Sequence, residues 1–224
     1  MLNSVLLGKG RMAEVYEWGE ESVIKLFYEW CSQSWVEHEY NVSRIVSQSE
    51  TRSPRVYELI EVEDRKGIVY ERVDGPTMLK VISSKPWQIF KMARTLAELH
   101  AETHKCEVYG LPNQIESLEN RIRSVEVLPG EVKEKVITYL NSMTHGNQLC
   151  HGDFHPDNVI MSNTGAYVID WSNATLGHAA ADVARTSLMI TSSYMPPGTK
   201  LKFMVKLISL LLAKFFKYWN EKSC

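Results

Sequence analysis

The run His151-Gly152-Asp153-Phe154-His155-Pro156-Asp157-Asn158 sets a carboxylate, Asp153, five positions before an amide, Asn158, with a histidine on either side of the carboxylate. A short apolar stretch follows and ends in a second carboxylate, at Val168-Ile169-Asp170-Trp171. Asp, Asn and Asp in this order suit phosphoryl transfer. One carboxylate orients a hydroxyl and takes its proton, while an amide oxygen and a second carboxylate hold Mg2+ against a nucleotide triphosphate. Mg2+ is a hard ion that prefers such oxygen ligands and keeps part of its water shell. On this reading Asp153 is the expected base, and Asn158 and Asp170 are the expected metal ligands. His155 is near enough to support the loop or meet the acceptor, His151 to brace the loop backbone, and Gly152 to allow its bend. Paired histidines beside a carboxylate also suit a metal hydrolase, but that chemistry leaves Asn158 and Asp170 without roles.

Residues upstream supply what a nucleotide needs. Gly8-Lys9-Gly10 falls between two strand-like runs, 2–7 and 13–18, where glycines let backbone N–H groups approach phosphates closely. Alone the pair is also a common turn, and Ala13 stands where a full kinase loop has its third glycine. Lys25 lies in the apolar strand Val23-Ile24-Lys25-Leu26-Phe27, and alternation puts it on the face of Val23 and Phe27. Trp35, Glu39, Val42 and Val46 recur at helical spacing, so Glu39 is a carboxylate on an apolar stripe. A charge facing a core needs a partner, and a Lys25–Glu39 pair aims the ammonium at phosphate oxygens. Glu71-Arg72-Val73 is the expected segment whose backbone meets a purine edge.

The elements that must position these residues follow from pattern. Residues 2–7, 13–18 and 22–27 read as three strands, and 34–48 as a helix opened by a capping box of Ser34 and Glu37. Strands over 55–62 and 67–73 are expected to flank a turn at Glu63-Asp64-Arg65-Lys66. Asp74-Gly75-Pro76 breaks the pattern, so 1–73 is expected to form a nucleotide-binding sheet with one helix. Residues 74–224 then form a helical part with the catalytic loop and acceptor site. There Ile89, Met92, Ala93, Leu96 and Leu99 keep helical spacing, and further helices are expected near 114–125, 131–143, 180–191 and 200–219. A hairpin over 159–161 and 166–170 follows the catalytic loop. Segregated strands and helices predict an α+β fold.

Composition narrows the function. Over 224 residues, 44% apolar and 23% charged content is ordinary for a globular protein, and a net charge of −2 argues against nucleic-acid binding. The four cysteines form no CxxC pair, which suits a reducing cytoplasm rather than a zinc or redox site. Met1 leads almost directly into an apolar run with no basic segment ahead of it, so a cytoplasmic location is expected.

The stretch HGDFHPDNVI followed by VIDW resembles the aminoglycoside phosphotransferase and choline kinase family of eukaryotic-like kinases. The likeness runs from Gly8 to about Ile190. It implies a bilobal protein-kinase-like fold, with a small antiparallel-sheet N-lobe and a mainly helical C-lobe, and ATP (or GTP) and Mg2+ as cofactors. It assigns Asp153 to catalysis, Asn158 and Asp170 to the metal, and Lys25 to the phosphates. Asp182 resembles the family's carboxylate that buttresses the catalytic loop from the next helix. Leu99-His100-Ala101 also resembles the family, although His100 reads first as a helix-packing histidine.

Only twelve positions separate Asp170 from Asp182 and no Ala-Pro-Glu follows, so the long segment on which protein kinases dock a peptide is missing. The expected partner is a small-molecule hydroxyl acceptor. From Trp171 on, seven basic residues stand against two acids, which favours an acceptor that is not strongly cationic. Lysines interrupt the apolar run after Leu201, which argues against a transmembrane span. The expected assembly is a monomer or a homodimer. Two other readings compete with the enzyme: a non-catalytic nucleotide-binding module and a small protein kinase.

Overall fold

A computed structural model describes residues 4–192 and 210–218 of the protein. They fall into two compact units. One comprises the chain up to Lys85 together with Pro156–Asn173, and the other Pro86–His155 and the chain from Ala174 on.

The first unit is built on a five-stranded antiparallel sheet. Its strands are β1 (Leu6–Lys9), β2 (Ala13–Glu17), β3 (Ser22–Phe27), β4 (Val56–Val62) and β5 (Arg65–Glu71), in the order β1-β2-β3-β5-β4. Helix α1 (Gln33–Ser47) covers one face. There Phe27, Ala13 and Ile68 from the sheet pack with Val36, and Trp35 meets Phe27 edge to face. Ile24, Leu26 and Val69 form a separate cluster on the other face. The period-two alternation of β3 thus puts Lys25 on the side of α1, as its neighbours predict.

Three local expectations are corrected. Of the strand expected over 2–7, residues 2 and 3 lie outside the described residues, and β1 begins only at Leu6 and runs to Lys9, so Gly8 lies within a strand, next to a register shift between Leu6 and Gly8. Helix α1 starts from Ser32, whose hydroxyl accepts from the Trp35 N–H at 3.3 Å. Ser34 therefore lies inside the first turn, and Glu37 accepts from Gln33 at 2.6 Å instead of closing a capping box. The β4–β5 connection is a two-residue turn, Glu63-Asp64, with φ of 50° and 64° and Val62 paired to Arg65. Positive φ at both positions is the geometry that matches strand twist.

The first unit also holds α2 (Met78–Ser84) and the hairpin of β7 (Val159–Ser162) and β8 (Gly165–Val168). Gly75 passes so close to this hairpin that a Cβ would collide with the Met161 carbonyl, and Pro76 accepts from the Met161 N–H at 2.9 Å. Thr77 caps α2 and donates to Asp157 at 2.9 Å.

The second unit contains α3 (Ile89–Lys105), α4 (Gln114–Ser124), α5 (Gly130–Asn141) and α6 (Ala179–Thr191), with residues 210–218 also helical. The part of the expected last helix at 200–209 lies outside the described residues. Helix α3 buries Met92, Ala93, Leu96 and Leu99, the predicted stripe, and also His100, Thr103 and His104. Two short strands, β6 (Gln148–Cys150) and β9 (Thr175–Gly177), lie before and after the stretch that holds Asp153 and pair antiparallel. Among the described residues no helix is long and apolar enough to cross a membrane.

Candidate active site residues in the two units

In the first unit, β3 and α1 bring Lys25 and Glu39 together. The ammonium lies 2.5 Å from Glu39 Oε1 and 3.3 Å from Asp170 Oδ1, while the Glu39 side chain is 1% exposed. A carboxylate buried this deeply is tolerable because its countercharge is in contact. Burial alone would lower the Lys25 pKa, but the carboxylates of Glu39 and then Asp170 outweigh it and hold the amine protonated. Burial pushes Glu39 upward and the ammonium opposes that push.

Asp170 does not end a strand as expected. Strand β8 stops at Val168, and Asp170 takes the left-handed conformation, φ 65°, which Asp tolerates better than most side chains. Its Oδ1 meets Lys25 and also accepts from Ser172 at 3.2 Å. Among the described residues its Oδ2 makes no hydrogen bond. Pairing of Val159 with Val168, continued by a 3.0 Å bond from the Ile169 N–H to the Asn158 carbonyl, brings Asn158 and Asp170 to the same end of the hairpin. The donors collected there are an amide and a carboxylate, the hard oxygen set that Mg2+ accepts.

Gly8 and Gly10 are not demanded by packing. A Cβ at Gly8 would meet nothing within 4 Å, and one at Gly10 only the Ala13 carbonyl at 3.4 Å. The Glu71 N–H is taken by the Arg55 carbonyl at 2.9 Å and its carboxylate accepts from the Arg55 N–H at 3.0 Å. Among the described residues the Val73 N–H makes no backbone hydrogen bond.

In the second unit the stretch around Asp153 is fastened by α6. Asp182 accepts from the N–H of His151 at 2.8 Å and of Gly152 at 2.9 Å, and Arg185 Nε donates to the Gly152 carbonyl. The His151 ring accepts from the Asp153 N–H at 3.1 Å. Gly152 has φ 75°, where a side chain would be strained. His155 Nε2 lies 3.5 Å from Asp153 Oδ2. That hydrogen bond, opposed by burial, holds Asp153 below the usual carboxylate range. Asp153 is therefore ionised at neutral pH, as a proton acceptor must be.

Asp182 also accepts from His100 Nε2 at 2.9 Å and His104 Nε2 at 3.3 Å, all three side chains being buried. His100 stacks on Phe154, with ring centroids 4.1 Å apart. It is thus more than the packing histidine expected from sequence: it joins α3 to the carboxylate that holds the loop. His104 was missed, although its i,i+4 spacing from His100 signals a shared helix face. Burial works to raise the Asp182 pKa, but the bonds from His100 and His104 pull it well below the ordinary value. Burial dominates at His100 and pushes it down to about 4. Neither Nδ1 has a hydrogen-bond partner, which at His100 fits a neutral ring donating through Nε2. Cys150, just before the loop, is fully buried, and burial raises its thiol to about 12.

Acid sensitivity follows. His100 takes up a proton near 6.5 when unfolded but only near 4 when folded, so stability is full above that window and falls as pH drops through it. The unfolded state binds more protons there, so the loss reaches about 3 kcal/mol. Denaturant titrations across the window check this, and His100→Gln is expected to flatten the slope.

The antiparallel sheet with α1 and the helical second unit define a protein-kinase-like α+β fold. Solved structures that share it include an amicoumacin kinase, hAmiN, in complex with AMP-PNP, Ca2+ and Ami (TM-score 0.62, 15% identity, covering 98% of this chain and 72% of that one). An aminoglycoside-3'-phosphotransferase of type VIII aligns with TM-score 0.58 and 17% identity over 98% of this chain and 93% of that one. A choline/ethanolamine kinase family protein from Mesorhizobium loti aligns with TM-score 0.56 and 12% identity over 98% and 85%. No curated protein matches in sequence. The model of the phosphotransferase enzyme family (APH) matches residues 32–199, and the chain belongs to that family.

Proposed function

We propose that the protein transfers the γ-phosphate of ATP (or GTP) to a hydroxyl of a small molecule in the presence of Mg2+. The observation that carries this reading is the Lys25 ammonium held between a buried Glu39 and Asp170. One cation serving two carboxylates leaves a negative balance, with Asp170 Oδ2 uncommitted among the described residues, and a divalent ion beside Asn158 corrects it. Bound Mg2+ neutralises phosphate charge and leaves the phosphorus open to attack. Lys25, positioned by Glu39, binds phosphate oxygens, and Gly8 and Gly10 leave room for them. The Val73 N–H is available to a purine edge, with Glu71 fixing the strand end before it. Asp153, ionised and steadied by His155, takes the proton of the acceptor hydroxyl as the new O–P bond forms. The bond from phosphorus to the departing nucleoside diphosphate breaks in the same step.

A nucleotide-consumption screen against sugars, amino alcohols, nucleosides and antibiotics tests the reading. Acceptor-dependent release of nucleoside diphosphate is expected; no nucleotide binding and no release with any acceptor would sink it. Because a Cβ at Gly8 meets open space, Gly8→Val is expected to change stability by no more than ~0.5 kcal/mol. It should nonetheless weaken nucleotide binding by roughly tenfold, since the side chain fills the approach to the phosphates. Calorimetric titration with a non-hydrolysable nucleotide checks both halves of that statement when paired with a melting curve.

A further inference from the structure

The loop around Asp153 is held by α6 in an asymmetric way. Asp182 takes the Gly152 N–H, and one turn later Arg185 Nε donates to the carbonyl of the same residue. That bond uses one edge of the guanidinium. Among the described residues its two terminal nitrogens make no hydrogen bond, and the side chain is only partly buried. A planar fork fixed by Nε and left with terminal N–H groups to offer is the geometry with which arginine takes a carboxylate or phosphate two bonds at a time.

A second guanidinium adds to it. Arg121, on α4, interacts electrostatically with both Arg185 and Asp153. The charge of Arg185 is likewise felt at Asp153, with His155 and His151 contributing in the same sense. Two guanidiniums therefore share the surroundings of one catalytic carboxylate. Like charges gathered this way are stabilised by an anion that enters between them.

We propose that the acceptor carries an anionic group, a carboxylate or a phosphate, which Arg185 and Arg121 bind while its hydroxyl faces Asp153. The proposal rests on the phosphotransfer reading for the identity of the reaction, but the anion site stands on the two arginines alone. It goes further than the basic C-terminal composition, which disfavours only a strongly cationic acceptor.

The test uses the full chain with four probes of one carbon skeleton: glycerate, glycerol phosphate, glycerol and serinol. With ATP and Mg2+, either anionic probe is expected to support nucleotide consumption at least about tenfold better than the neutral or cationic one. Arg121→Gln and Arg185→Gln are expected to raise KM for the anionic probe by roughly ten- to a hundredfold. Arg121 is exposed on α4, so Arg121→Gln keeps the test valid if Arg185→Gln unfolds. Equal or faster use of glycerol or serinol overturns the proposal, as does an unchanged KM in both variants. Calorimetric binding of the same anions separates the two readings. Arginine-dependent binding without phosphate transfer removes the phosphotransfer reading and keeps the anion site, whereas binding that ignores both substitutions removes the site.

Discussion

Asp153→Ala is expected to lower phosphate transfer by about a hundred- to ten-thousandfold while nucleotide affinity stays within about twofold. The loop has backbone anchors apart from this side chain. Its backbone is held by Asp182, Arg185 and the His151 ring, none of which uses the Asp153 carboxylate. Lys25, Glu39 and Asp170, the groups proposed for the nucleotide, are bonded to one another without it. What the substitution removes is an ionised carboxylate held below its usual range beside His155, the group proposed to take the acceptor proton. Single-turnover kinetics and calorimetry on the variant separate the two quantities. Transfer at the native rate would remove the base assignment.

The second large effect is on stability. Asp182→Ala is expected to cost about 3–5 kcal/mol, read by denaturant unfolding. Four N–H groups converge on this one buried carboxylate, from His151, Gly152, His100 and His104. Alanine leaves all four without this acceptor, three of them in buried bonds, and each buried donor left unmade carries a desolvation cost. Asp182→Asn keeps the volume, but its amide nitrogen must face donors, so most of the loss persists. Both variants are also expected to lose turnover, because the His151 and Gly152 peptides are no longer fixed. A loss below about 1 kcal/mol would show that the loop holds itself.

The parts of the site that sequence makes legible are those carried by local period. The alternation of β3 places Lys25, the helical repeat of α1 places Glu39, and the two meet. The stripe on α3 is likewise readable from Ile89 to Leu99. What sequence hides depends on contacts between distant residues or on unusual backbone. The turn expected at 63–66 closes over two residues, Glu63-Asp64, and since neither is glycine or asparagine their positive φ is not signalled by residue type. Ser34 with Glu37 satisfies a capping rule, but Ser32 lies two residues earlier and takes the cap. Asp170 takes the left-handed region, and its carboxylate meets Lys25, 145 residues away. Helix α2 spans seven residues, too short for periodicity to stand out, and strands β6 and β9 are three residues each. The meeting of His100 and His104 with Asp182 joins residues about eighty positions apart, which no single window of sequence contains.

Cys150 gives this arrangement a built-in clock. Its thiol is sealed from solvent and held almost wholly protonated at neutral pH, so an alkylating reagent finds no thiolate to attack while β6 stays paired with β9. Cys31 and Cys106 are only partly covered and take up reagent first. The slow labelling of Cys150 that follows times the spontaneous opening of the strand leading into the loop, without any probe being added to the protein.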